Sequence, residues 1–138
     1  MRYLVSIFAL VILASCSGSG SSNYSAVMSA VDNNTGKVFV LRDTGFSGGG
    51  ALMNITLNGM SLGKIGNGET TVGNTNSGTN YIEARFGGIS GMGLNSAPAS
   101  FEGSKNKNNY FIVKLTTGAL KNRLQMFEVN EAAFKGSF

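Results

Sequence analysis

Few side chains in this sequence can do covalent chemistry. Cys16 is the single cysteine, and histidine is missing. One thiol without imidazole removes internal disulfides, zinc-ligand clusters and every nucleophile scheme that relies on an imidazole base. A possible binding stretch is Arg42, Asp43, Phe46, Gly48 and Gly49, where successive glycines let backbone amides approach a ligand beside one guanidinium and one carboxylate. It lacks the Lys and Ser/Thr spacing of a phosphate-binding loop. The structural alternative is a glycine bulge that bends a strand, with Arg42 paired to a nearby acid. Glu69, Glu83, Glu102, Glu128 and Glu131 fall mostly on outward strand positions, and their spacing brings no two together as acid and base. Tyr81 and Tyr110 have rings that stack on sugars but that equally well cover a sheet face. We therefore expect no catalytic residue, no metal and no cofactor.

The thiol has its own context. Arg2 supplies a positive start and residues 4–14 an apolar stretch, with small residues before Cys16. A bilayer core needs roughly 20 apolar residues in a helix, so this stretch is too short to span and reads as an export signal. Leu13-Ala14-Ser15-Cys16 resembles the bacterial lipobox, in which an aliphatic residue and two small ones precede the cysteine that receives lipid. The resemblance implies cleavage before Cys16 and three acyl chains, palmitate among them, on the mature amino terminus. One chain alone holds a protein marginally, since each buried methylene contributes about 0.8 kcal/mol, whereas several make release negligible. Ser17 in place of Asp favours the outer membrane in envelopes that sort lipoproteins by that residue. Residues 17–22 are only Ser and Gly, the composition of a flexible leash. Residues 23–35 extend it, with an apolar patch at 26–31 that suits either a first strand or a short helix.

The elements that must position any site begin at Gly36. From there apolar and polar residues alternate over short runs broken by Gly and Asn, the pattern of half-buried strands. Residues 38–42 read as a strand buried on both faces. Met53, Ile55 and Leu57 alternate with Asn54, Thr56 and Asn58, and Asn58-Gly59 accepts the positive φ of a type I′ hairpin into residues 60–65. Further strands are expected at 69–72, at 81–86 with Ile82, Ala84 and Phe86 inward, from Phe101, at 109–116 and at 123–129. Residues 87–99 hold four glycines and the single proline, and read as a long loop. Its Ile89 and Met92 suit contact with lipid or a partner, or are incidental hydrophobes in a disordered connection. Asn130 should cap one closing helical turn.

A length of 138 residues with 42% hydrophobic and 13% charged residues suits one folded domain. The formal charge of +4 is scattered among acids, too weak for a nucleic-acid partner. About seven short strands point to an all-β antiparallel sandwich. The expected division is a signal peptide over 1–15, a lipid-anchored tether over 16–35 and the sandwich over 36–138.

Gly36-Lys37-Val38-Phe39-Val40-Leu41-Arg42, then Phe46 and Gly48-Gly49-Gly50, resembles the uncharacterised bacterial family called domain of unknown function 2846. Leu57-Asn58-Gly59-Met60-Ser61-Leu62-Gly63-Lys64-Ile65 and Asn109-Tyr110-Phe111-Ile112-Val113 fit the same pattern, as does a closing segment such as 129–133. Where members often carry a Pro-Gly-Lys-His-like turn, this chain has Asn76-Ser77-Gly78-Thr79. The resemblance implies an envelope lipoprotein with an immunoglobulin-like or transthyretin-like sandwich and implies no reaction. Two functions are therefore open. One is a non-catalytic module whose sheet edge or loops bind another envelope protein; the other is a small-ligand or glycan-binding lipoprotein using residues 42–50.

Overall fold

The computed structural model describes residues 18–44, 51–87, 94–119 and 122–138. Cys16, Phe46, Gly48 and Gly49 lie outside them, as do Ile89, Met92 and the leader. In chain order the elements are α1 (Tyr24–Asn33), β1 (Lys37–Arg42), β2 (Met53–Leu57), β3 (Met60–Ile65), β4 (Thr70–Asn74), β5 (Gly78–Phe86), β6 (Ala97–Gly103), β7 (Asn109–Thr117), β8 (Asn122–Val129) and α2 (Glu131–Lys135).

The eight strands form two four-stranded sheets, ordered β4-β1-β7-β8 and β3-β2-β5-β6. This is the all-β sandwich that the alternation predicts. Val38 and Val40 meet Ile55, Ile82, Phe101, Phe111 and Leu124 between the sheets. One pairing departs from the antiparallel expectation: β1 runs parallel to β7, Val40 opposite Phe111. Parallel neighbours need a long crossover, and the chain between them, which builds β4 and all four strands of the second sheet, supplies it.

The alternate residues of β1 and β7 face away from the sandwich, yet they are equally apolar. Phe39, Leu41, Tyr110 and Ile112 form a second core with Val27 and Val31 of α1 and Phe134 of α2. The Phe39 and Tyr110 rings stack at 5.6 Å, and Phe134 lies 5.1 Å from Tyr110. Both helices start on an asparagine cap: Asn23 Oδ1 accepts from Ala26 N–H at 3.1 Å and Asn130 Oδ1 from Ala133 N–H at 2.8 Å. The patch at 26–31 is thus a helix. Val27 and Val31, four apart, lie on one helical face, which covers the outer face of β1 and β7 together with Phe134 of α2.

The first described residues also depart from the leash reading. Ser19 N–H donates to the Lys64 carbonyl of β3 at 2.7 Å, and Ser21 pairs with Thr70 of β4 through two bonds of 2.8 and 2.9 Å. Residues 18–35 therefore pack as part of the domain. At the other flank the expected loop ends early, because β6 begins at Ala97 and includes Pro98. Proline is tolerated there because β6 is an edge strand. The Asn58-Gly59 hairpin forms as expected, with φ of 51° and 81°.

Candidate partner-binding edge

Arg42 ends β1 and is only 3% exposed. Its Nη1 donates to the Ala51 carbonyl and, at 3.3 Å, to the Ile65 carbonyl, so it ties the start of β2 to the end of β3. The guanidinium carbon sits 4.9 Å from the centre of the Phe86 ring. Burial lowers its pKa from the usual arginine value, and the Glu69 charge opposes that shift. Glu69 itself is buried, against the outward position read from its strand, and accepts from Gly66 N–H at 2.6 Å. Arg42 therefore serves the end of the sandwich as an internal strut. Asp43 turns outward, and its carboxylate lies 3.4 Å from Lys114 Nζ.

Among the other acids, Glu102 and Glu128 line one hollow with Asn109. Glu83 pairs with Arg85 at 3.2 Å, Glu102 accepts from Thr79 Oγ1 at 2.6 Å, and Glu128 accepts from Asn109 Nδ2 at 3.0 Å. Glu131 contacts Lys135 at 2.7 Å and accepts from the Tyr110 hydroxyl at 3.3 Å. Tyr81 is 49% exposed on the second sheet, whereas Tyr110 is core. A polar cleft of about 610 Å³ separates the end of α1 from the start of β7. Asn108, lining it, is committed to structure, donating to the Asn34 carbonyl at 2.8 Å and accepting from Lys37 N–H at 3.1 Å.

A different opportunity lies on the sheet edges, which sequence pattern alone does not locate. Thr70 gives both backbone bonds to Ser21, so its N–H and C=O point away from β1. In an antiparallel ladder every second residue shares that direction. Val72 and Asn74 therefore turn their backbone groups outward too, and those groups find no partner among the described residues. Leu124 identifies the equivalent edge on β8, where its N–H and C=O are both taken by the Asn95 side chain at 3.1 and 2.9 Å.

The β4 edge differs from β8 in having α1 beside it. Ala26, Ala30 and Asn34 recur every four residues and are too small to fill the space along β4. Two hollows that share Ala30 and Val72 as lining result. The inner, of about 100 Å³, is lined by Ala26, Val27, Ala30, Phe39 and Val72. The outer, of about 280 Å³, is lined by Ala30, Asn34, Lys37, Val72 and Asn74. Val72 is 47% exposed there. Thr70 Oγ1, at the inner end, is buried with no hydrogen-bond partner among the described residues. The result is a strand edge and a helix flanking a groove that is apolar within and cationic at its mouth.

The fold places the chain among two-sheet β-sandwich proteins. No protein-family model matches it, and no curated protein matches it. Among solved structures it is similar to one described as the NMR structure of the protein from Eubacterium rectale, at 16% identity and a TM-score of 0.43, over 70% of this chain and 89% of that one.

Proposed function

We propose that this protein is a lipid-anchored, non-catalytic module of the cell envelope that binds an extended segment of another envelope protein along β4. Leu13-Ala14-Ser15-Cys16 supports the anchor, and Ser17 supports the outer membrane. The observation that carries the binding reading is the pair of outward backbone positions at Val72 and Asn74, without a partner among the described residues, beside the α1 groove. Strand addition gives affinity through main-chain bonds and specificity through pockets for alternate side chains. The segment that fits has a small aliphatic side chain facing Ala26, Ala30 and Val72, and an acidic or amide side chain reaching Lys37.

The test uses a photo-cross-linking residue at Ala26 in intact envelopes. A discrete adduct is expected, and Val72→Pro should abolish it while Val72→Thr keeps it. Proline removes only an outward N–H, which an edge strand tolerates without losing a ladder bond. An adduct indifferent to proline, or no adduct, overturns the reading. For the anchor, Cys16→Ala should leave a chain that no longer partitions into detergent.

A further inference from the structure

The segment that follows the lipobox is fixed to the domain almost from its start. Gly18 sits in a notch at the turn joining β3 to β4. A Cβ there would stand 2.3 Å from Glu69 Oε2, 2.4 Å from the Lys64 carbonyl and 2.8 Å from Gly66 N. Gly20 is equally enclosed, with Ile65 Cγ2 at 2.8 Å and the Thr70 carbonyl at 3.0 Å from such a Cβ. Ser19 between them is bonded to Lys64. In the sequence Gly18 follows Cys16 by two residues.

The surface around that turn has its own character. Asn67 and Gly68 line a cavity of about 470 Å³ with Tyr24, Leu41, Thr44 and Phe138. The Tyr24 and Phe138 rings meet edge to face at 5.7 Å and remain 54% and 43% exposed, although apolar residues next to them are buried. Lys64 is exposed beside Ser19. Tyrosine rings favour the headgroup level of a bilayer, and an ammonium on a flexible stem reaches lipid phosphate.

We propose that the end of the sandwich bearing the Gly66 to Glu69 turn is seated on the bilayer, with Tyr24 and Phe138 at headgroup level and Lys64 on a lipid phosphate. This rests on lipid attachment at Cys16. The stitched lead then sets the orientation of the domain, so that the Lys37 mouth of the β4 groove, at the far end of that strand, points away from the membrane.

The full-length lipidated protein is reconstituted in vesicles of phosphatidylethanolamine and phosphatidylglycerol, with a fluorophore at Asn67→Cys or at Asn106→Cys, two exposed positions at opposite ends. Quenching by a headgroup nitroxide lipid should be several-fold stronger at position 67. The combination Tyr24→Ala with Lys64→Glu should at least halve that difference while circular dichroism stays unchanged. Equal quenching at both ends of a lipidated chain overturns the seating alone, and an undiminished difference in the double variant overturns the part given to Tyr24 and Lys64. A mature chain whose mass shows no acyl group overturns the lipoprotein reading, and the seating with it.

Discussion

Ser19 and Lys64, 45 residues apart, exchange three hydrogen bonds: Ser19 N–H to the Lys64 carbonyl at 2.7 Å, Lys64 N–H to Ser19 Oγ at 3.0 Å, and Ser19 Oγ to the same carbonyl at 3.1 Å. Two residues later Ser21 pairs with Thr70 of the opposite sheet. One short peptide thereby laces the β3 edge of one sheet to the β4 edge of the other. Asn95 occupies the β8 edge on the far flank with its side chain. Covered stretches of edge resist pairing with stray chains, and the lace covers only the Thr70 end of β4.

The lace depends on residues with no side chain. Gly20→Val places two methyls where Ile65, Glu69 and the Thr70 carbonyl already stand. We expect a loss of about 1–3 kcal/mol, the usual cost of overpacking, read as a lower urea midpoint with unchanged slope. A midpoint within error of the parent would show that residues 18–21 leave the domain at little cost.

Arg42→Met should destabilise the fold while leaving ligand behaviour untouched. The Ala51 and Ile65 carbonyls lose their guanidinium donor, at about 1–3 kcal/mol for the buried Ile65 acceptor and less for the part-buried Ala51 one. Glu69 also loses a nearby positive charge. Arg42→Lys should recover part of the loss, because an ammonium is a point donor without the fork that reaches two carbonyls. Saturable binding of a small ligand that disappears in a still-folded Arg42→Met protein would contradict the strut role.

Tyr110 gives the fold an alkaline limit. Burial raises its pKa above the ordinary 10.0, opposed by the hydrogen bond to Asn108 and reinforced by the Glu131 charge. The folded state then holds this proton more tightly than the unfolded chain does. Its contribution to stability is fully present below pH 10.0 and is lost as the pH climbs from there through the folded-state value. Lys135, raised by its bonds to Asp32 and Glu131, acts in the same sense. Unfolding midpoints measured from pH 8 to about pH 11 should therefore fall less steeply in Tyr110→Phe than in the parent; superimposable slopes would remove Tyr110 from this account.

Much of the strand content is legible in the sequence because burial repeats with the pleat. Met53, Ile55 and Leu57, and later Ile82, Ala84 and Phe86, reach the core as their alternation requires. The Asn58-Gly59 turn and the Asn130 cap are equally local, since φ preference and one side-chain oxygen decide them. The candidate site is less legible. Arg42 reads as a potential ligand group until its carbonyl partners, 9 and 23 residues away, are known.

What the sequence determines by itself is periodic or local: the alternating faces, the Asn58-Gly59 turn, the Asn130 cap, and the ordering of residues up to Cys16 that resembles a lipobox. Only the tertiary structure decides the rest. A Ser-Gly run is a flexible coil by composition, because nothing in it can bury apolar surface. It becomes a stitch here because glycine alone fits the notch between Lys64, Ile65 and Glu69. That notch is made by residues more than forty positions away, and the outward backbone groups of β4 are defined only once β1, about thirty positions back, has taken the inward ones.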